Sequence, residues 1–152
     1  MDFTILVNSL GLIGLAIVNF LSSSILPIPS EPAILVATNF YSLELVFIFT
    51  MIGAMLGSIL NYYIGYTGIR KLFFNLFDRN KKQERAAKAW IEKYGLWSLF
   101  LVQWIPIIGD PLMIAIGAVK VDFRKFLIFL FFAEALKAVI VIYLGTILFS
   151  LI

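Results

Sequence analysis

LPIPSEP, at residues 26–32, and IPIIGDP, at residues 105–111, are the stretches that decide the fold of this chain. Each interrupts an apolar segment with prolines and places a carboxylate directly before its last proline. At an offset of 79 positions the two stretches align, and Glu31 pairs with Asp110. Proline lacks a backbone N–H and disfavours helical geometry in the residue before it, yet it is favoured in the first turn of a helix. Each segment is therefore predicted to be two short helices around a break.

The two breaks predict re-entrant hairpins. An arm of about 13 residues rises only ~20 Å as a helix, which is too short for a hydrocarbon core of about 30 Å. Each hairpin should therefore enter and leave the membrane by one face, and Asp110-Pro111 and Glu31-Pro32 should each begin a second arm. The residues assigned to the breaks are Pro27, Pro29, Pro32, Pro106, Gly109 and Pro111.

Composition predicts an all-α integral membrane protein with a single membrane domain over 1–152. Of the 152 residues, 62% are hydrophobic and 14% are charged, whereas a soluble domain is usually about 45–50% apolar and about 25% charged. The beginning of the chain has no basic region, so no cleaved signal peptide is expected. Cysteine and histidine are both absent, which excludes disulfides, thiolate ligands and Cys nucleophiles. We predict no metal site and no cofactor.

The chain also repeats beyond the two breaks. At an offset of 80, GAMLGSILNYYIG at 53–65 lies over AEALKAVIVIYLG at 133–145. Because a single span separates the hairpins, they should enter from opposite faces, as in the inverted repeats of many transporters. The predicted organisation is repeat one at about 10–68 (hairpin 14–41, span 45–66), a linker at 70–94, and repeat two at about 95–150 (hairpin 95–119, span 126–149).

Basic residues predict the orientation in the membrane. The segment 70–93 carries eight of the twelve Lys and Arg residues, and 120–125 carries three more. Cytoplasmic loops gather Lys and Arg, so 70–94 and 120–125 are predicted to be cytoplasmic in a multi-pass protein of the plasma membrane. Residues 81–93 form either an amphipathic helix at the membrane surface or a solvated linker helix.

Four ionisable side chains lie in the apolar segments, and each has two interpretations. Glu31 and Asp110 either cap their half-helices or titrate and bind a cation in a cavity near the midplane. Glu134 and Lys137, three residues apart on one helical face, either form a structural ion pair or leave Lys137 to bind a phosphate. In the second case Lys137 would pair with Asp110 when the site is empty.

Further polar and small residues complete the predicted site and its packing. Helix packing through small residues explains the glycines at 53, 57, 65 and 68, which include a G-x-x-x-G. The predicted polar lining of the cavity is Ser30, Ser58, Asn61 and Gln103.

The motifs resemble a known family over essentially the whole chain. P-x-P-S-E followed by G-x-x-x-G-x-x-x-x-Y-x-x-G resembles the DedA family, also called the SNARE-associated or VTT-domain family. The later K-Y-G, W-I-P-I-I-G-D-P and E-A-L-K resemble its YqaA-like branch. The resemblance implies two opposed re-entrant hairpins and a role in moving lipids across the bilayer. The lipids would be polyprenyl-phosphate carriers in bacteria or phospholipids in eukaryotic relatives, and some members are linked to proton-dependent transport.

The chain departs from the better-known members at positions that matter for phosphate. Those members carry R-[FY]-x-P-x-x-R in the second hairpin, where Gln103 and Gly109 stand here, and many have Asp in place of Ser58. Glu31 matches the hairpin glutamate of the family, and Asp110 fits the G-D-x of the YqaA-like branch. Arginines are natural phosphate ligands, so their absence leaves Lys137 as the candidate cation.

We therefore expect a lipid transporter, flippase-like or scramblase-like, that moves a polyprenyl-phosphate or a phospholipid through a midplane cavity between the hairpins. The alternative is a proton- or cation-coupled carrier of a small solute that uses Glu31 and Asp110. An intramembrane enzyme is disfavoured, because His, Cys and a second facing Asp are missing. The expected partners are membrane lipids, anionic or phosphate-bearing, and a coupling proton or cation, but no nucleic acid. A homo-oligomer is left open.

Overall fold

The computed structural model describes residues 3–24, 29–67, 89, 91–102 and 106–150, with side chains at 10–24, 29–67, 89, 91–100 and 112–147. Every regular element in those residues is helical, so the all-α prediction is confirmed for them. Pro27, Gln103 and most of the linker 70–94, with most of the predicted surface helix at 81–93, lie outside the described residues.

The described chain has further helical residues at 89 and 91–94 and six α-helices with defined bounds. They are α1 (Phe3–Ser22), α2 (Glu31–Ala37), α3 (Leu43–Thr67), α4 (Ser98–Val102), α5 (Pro106–Ala118) and α6 (Phe123–Ser150), and a 3₁₀ turn at Gly95–Trp97 precedes α4. Two stretches, Leu43–Thr67 and Phe123–Ile147, are long and apolar enough to cross a membrane. They agree with the predicted spans 45–66 and 126–149.

The first broken segment begins its second arm where the sequence predicts. Ser30 precedes α2, Glu31 is its first residue and Pro32 its second. Proline fits this position, because the first N–H groups of a helix have no partner inside the helix. The first arm, α1, has a kink at Gly11 with φ +58, where a Cβ would lie 2.9 Å from the Tyr41 hydroxyl.

The second broken segment begins its second arm earlier than predicted. Helix α5 starts at Pro106 and not at Pro111, so Gly109, Asp110 and Pro111 lie inside the helix. Pro106 occupies the first helical position, where a missing N–H costs nothing. Pro111, the sixth residue of the helix, removes one backbone hydrogen bond and crowds the carbonyl four residues before it, a cost that the helix accommodates. Asp110 therefore lies within the helix and does not begin it.

The chain divides into two compact units. One comprises Met1–Gly57 and Glu134–Ile152, and the other comprises Ser58–Ala133. The division cuts both long helices, so that each unit holds one broken segment and one half of α3 and of α6. The sequence repeats 10–68 and 95–150 stay a prediction.

The first unit has a hydrophobic core to which four helices contribute. Helices α1 and α2 pack against each other, and the G-x-x-x-G of α3 packs on the backbone of α1. A Cβ at Gly53 would overlap the Ala16 carbonyl, and one at Gly57 would meet Phe20 and Ser23. The packing role predicted for these glycines is thus confirmed. The core residues are Leu15, Val18, Ala33, Ile34, Ala37, Val46, Val141 and Ile142.

The second unit is held together by a close crossing of α3 and α5. A Cβ at Gly65 would overlap the Ile114 carbonyl, and one at Gly117 would overlap the Tyr62 carbonyl. Only glycine at both positions lets two helix backbones approach this closely. Helices α4 and α5 also pack against each other. Residues Leu112–Ile116 of α5 are all buried, as are Leu99, Phe126 and Leu130.

Candidate functional site

In the first unit an ion pair joins α2, which follows the first break, to the long helix α6. The Nζ of Lys137, on α6, lies 3.1 Å from the Oε1 of Glu31, the first residue of α2. The Lys137 side chain is 19% exposed and the Glu31 side chain 38% exposed. The pair is therefore desolvated on one side and reachable on the other.

Close packing of α2 on α6 positions the pair. A Cβ at Gly145, two turns after Lys137, would lie 3.0 Å from a Leu35 methyl and 3.2 Å from the Thr38 hydroxyl. Thr38 turns that hydroxyl to its own helix and donates to the Leu35 carbonyl at 2.7 Å. The contact between the helices at this level is thus apolar, and the charges of the pair lie at its edge.

The beginning of α2 supports the Glu31 carboxylate from the backbone. The N–H groups of Ser30 and Glu31 hydrogen-bond to it, and the positive end of the helix dipole favours a negative charge there. Ser30 itself is buried and its side chain does not cap the helix. Glu31 thus lies at the beginning of its helix and pairs with a lysine of the same chain, while its titration and the binding of an external cation stay predictions.

The partner of Lys137 differs from those that the sequence suggested. The sequence paired Lys137 with Glu134 or with Asp110, whereas the described ion pair is with Glu31, 106 positions away. Glu134 lies one turn before Lys137 on α6 and is buried, with 5% exposed. The side chain of Asp110 lies outside the described residues.

The predicted polar lining is divided between the units. Ser30 belongs to the first unit, while Ser58 and Asn61 are buried on the part of α3 that belongs to the second. The structure therefore brings Glu31, Lys137 and Ser30 into one unit and leaves the cavity lining by Ser58, Asn61 and Gln103 a prediction. Among the break residues, Pro29 and Pro32 flank the beginning of α2 and are exposed.

Three polar residues that the sequence analysis did not single out are buried in these helices. Asn19 donates from Nδ2 to the Leu15 carbonyl at 2.9 Å, and the hydroxyl of Thr50 has no hydrogen-bond partner within the described part of the chain. Tyr62 donates to the Val121 carbonyl at 2.6 Å and stacks on Phe126 with ring centroids 4.6 Å apart. Their signal in the sequence is a single polar group within an apolar run.

The pair can offer a ligand two opposite charges. The Lys137 ammonium has three donors, and the bond to Glu31 uses one, so it can bind a phosphate oxygen. The Glu31 carboxylate can accept an ammonium group, a cation or a proton. No group of three or more His, Cys, Asp or Glu side chains that could hold a metal occurs in the described residues.

Comparisons with known proteins agree with this helical, apolar architecture. The model of the VTT domain family matches residues 28–147, which run from within the first break through the second broken segment to near the end of α6. No solved structure gives a significant match.

Two relatives match over most of their length. The inner membrane protein YqaA of Escherichia coli strain K12 is 32% identical over 137 residues, which cover 88% of this chain and 90% of the relative. The uncharacterized membrane protein YbfM of Bacillus subtilis strain 168 is 30% identical over 113 residues, which cover 68% and 69%. The resemblance that the motifs suggested is confirmed.

Proposed function

The chain is a membrane protein of the VTT-domain (DedA) family, and we propose that it moves a lipid with a phosphate-bearing headgroup across the bilayer. The lipid is a polyprenyl-phosphate or a phospholipid. Its phosphate binds Lys137 in place of the Glu31 carboxylate, while the tail stays in the hydrocarbon.

The observation that carries the proposal is the half-exposed ion pair between Glu31 and Lys137. Ionisable side chains inside membrane segments are costly and default to a functional role. A purely structural pair would be expected to be closed off from ligands, whereas here the carboxylate side remains reachable. The pair also lies directly after the first break, where transporters of this general build hold their substrates.

Charge balance restricts the headgroups that the ion pair could accept. An ionised pair sums to zero, so a phosphate that displaces Glu31 leaves one carboxylate without a counter-charge. A headgroup with both phosphate and ammonium supplies that counter-charge itself. A purely anionic headgroup instead requires a proton or cation on Glu31. Its movement should therefore speed up as the pH falls, because more Glu31 is protonated, while a phosphate-ammonium headgroup should respond less.

The test is headgroup translocation in proteoliposomes of defined composition. Reporter lipids with a phosphate-ammonium headgroup, with an anionic phosphodiester headgroup and with a polyprenyl-phosphate headgroup are compared. We expect Lys137→Met to lower the translocation rate of the accepted lipid at least tenfold. The matched control is Lys93→Met, because Lys93 is an exposed lysine outside the pair.

The outcomes separate the lipid transporter from the ion-coupled carrier. Wild-type protein that moves none of the three lipids above the rate of empty vesicles would overturn the proposal. Proton or cation uptake without lipid movement, lost in Glu31→Gln, would favour the carrier of a small solute. Full translocation by Lys137→Met would remove Lys137 as the phosphate ligand.

We also propose the re-entrant, inverted-repeat topology, which matching contacts support. Helices α2 and α4 have 7 and 5 residues, so they rise only ~10 and ~8 Å, far below the bilayer core. Gly145 contacts α2 at Leu35, and Gly65, 80 positions earlier, contacts α5 at Ile114, 79 positions after Leu35.

Single-cysteine labelling tests this topology, because the chain has no cysteine of its own. Cysteines at Lys93 and Lys120 should label from the cytoplasmic face, and one at Glu44 from the opposite face. Labelling of Lys93→Cys and Lys120→Cys from opposite faces would contradict a re-entrant second hairpin. Three further points stay predictions that these experiments do not test. They are that the chain is not an enzyme, that Asp110 takes part in coupling, and that the chain can form a homo-oligomer.

A further inference from the structure

The turn between α5 and α6 carries a lysine where the backbone favours glycine. Lys120 has φ +57, and among the described residues the others with positive φ are Gly11 and Gly95. The Lys120 N–H bonds the Gly117 carbonyl and the Val121 N–H bonds the Ile116 carbonyl, which is the hydrogen-bonding pattern of a Schellman motif. Glycine adopts this left-handed conformation without steric cost. The lysine is therefore not explained by the turn itself.

The side chain of Lys120 lies against an aromatic ring at the end of α3. Its Nζ is 5.8 Å from the centroid of the Tyr66 ring, within the range of a cation–π interaction. The turn is fixed on the same helix by the hydrogen bond from Tyr62 to the Val121 carbonyl. The ammonium group is thus held in place while remaining exposed.

Two further cations follow in a position that opposes local helix stability. Arg124 and Lys125 are exposed in the first turn of α6, where the helix dipole disfavours positive charge. The acidic group of the turn, Asp122, accepts the N–H of Lys125 at 3.0 Å and so caps the helix. Three cations remain directed to solvent. Arg124 and Lys125 are not where helix stability alone would put them, whereas Lys120 follows the C-terminus of α5, where the dipole favours a cation.

We propose that this surface binds the headgroup of an anionic phospholipid at the membrane face. The surface, here called the turn patch, consists of Tyr63, Tyr66, Lys120, Arg124 and Lys125. Its partner follows from charge complementarity and from the two exposed tyrosines, which are typical of the headgroup level. This site is separate from the pair of Glu31 and Lys137 and does not depend on the proposed transport.

The test is a titration of the full-length protein with phosphatidylglycerol in nonionic detergent. Binding is measured as the change in melting temperature. We expect a saturable rise that phosphatidylcholine and inorganic phosphate do not produce and that added salt weakens. Each cation removed should raise the half-saturating lipid concentration about fivefold, since a basic residue near an anionic surface contributes about a factor of five. Lys120→Asn and the double change Arg124→Gln with Lys125→Gln are the test variants. Lys93→Gln, a lysine that lies over Tyr94 outside the patch, is the control.

Lys120→Gly separates binding from folding. Glycine relieves the backbone, so the variant should melt higher than wild type without lipid and yet require more phosphatidylglycerol for half-saturation. An unchanged half-saturation point in Lys120→Asn and in the double variant would overturn the proposal. Equal stabilisation of wild type by phosphatidylcholine, or by inorganic phosphate, would overturn it as well.

Discussion

Both units pack a long helix closely against an arm of a broken segment, but the atoms in contact differ. In both, a glycine of a long helix lies against the second arm of a broken segment: Gly145 against α2 and Gly65 against α5. At Gly145 a Cβ would meet the ends of the Leu35 and Thr38 side chains, whereas at Gly65 it would meet the backbone of Ile114. Side chains can move aside and a helix backbone cannot, so the contact of Gly65 with α5 should be less tolerant of change than the contact of Gly145 with α2.

The contact between arm and long helix includes an ion pair in the first unit and aromatic rings in the second. In the first unit the arm α2 is held to α6 by the ion pair of Glu31 and Lys137 at 3.1 Å. In the second unit Tyr62 holds the end of α5 through Val121 and stacks on Phe126. The difference teaches that similar close packing of an arm on a long helix can be combined with an ion pair in one unit and with aromatic rings in the other.

Gly65→Ala should have the largest effect on stability. The added methyl group would overlap the Ile114 carbonyl, so α3 and α5 would have to separate. We expect a loss of more than ~3 kcal/mol, or no folded protein, despite the ~1 kcal/mol that Ala gains over Gly in a helix. Thermal unfolding in detergent measures it, with Gly117→Ala as a second variant at the same crossing. Wild-type stability in both variants would show that α3 and α5 can separate at the crossing without cost.

Breaking the ion pair should have the next largest effect. Lys137→Met or Glu31→Gln alone leaves a partly desolvated charge without its partner, and we expect each to lower stability by about 1–3 kcal/mol. The double variant should be more stable than the sum of the single losses predicts. A double-mutant cycle measures that coupling. A coupling energy of zero would mean that the ion pair at 3.1 Å contributes nothing to the stability of the contact between α2 and α6.

Tyr62→Phe should cost about 1–2 kcal/mol, because it removes the bond to Val121 and leaves that carbonyl unsatisfied. The ring stack on Phe126 is retained, so the fold should persist. Tyr63→Phe, at a neighbouring exposed tyrosine, is the control and should change the melting temperature little. An equal effect in the two variants would remove Tyr62 as the specific anchor of the second unit.

Gly145→Ala should have the smallest effect. The Leu35 methyl and the Thr38 hydroxyl, at 3.0 and 3.2 Å, need to move by a few tenths of an ångström. The gain in helix propensity offsets much of that cost, so the net change should stay within about 1 kcal/mol. If unfolding shows a loss as large as that of Gly65→Ala, the contrast between the two units fails.

Local chemistry allowed the sequence by itself to determine the class, the spans and the first break. An apolar run long enough to cross a bilayer is a property of consecutive residues, so Leu43–Thr67 and Phe123–Ile147 were predictable. Ser30, Glu31 and Pro32 begin α2 as predicted, because proline and a helix terminus act on each other within one turn. The glycine spacing of α3 likewise indicated its packing on α1.

Only the tertiary structure decided the start of α5 and the partner of Lys137. Both Pro106 and Pro111 are compatible with an early helical position, so the sequence alone does not determine at which of them the helix begins. The packing of the arm determines the start at Pro106. From sequence, Glu134 was the natural partner of Lys137, because three residues separate them on one helix. Glu31 lies 106 positions away and meets Lys137 because Gly145 lets α2 pack closely on α6. An ion pair of this kind depends on where two helices touch, and no local pattern encodes that distance.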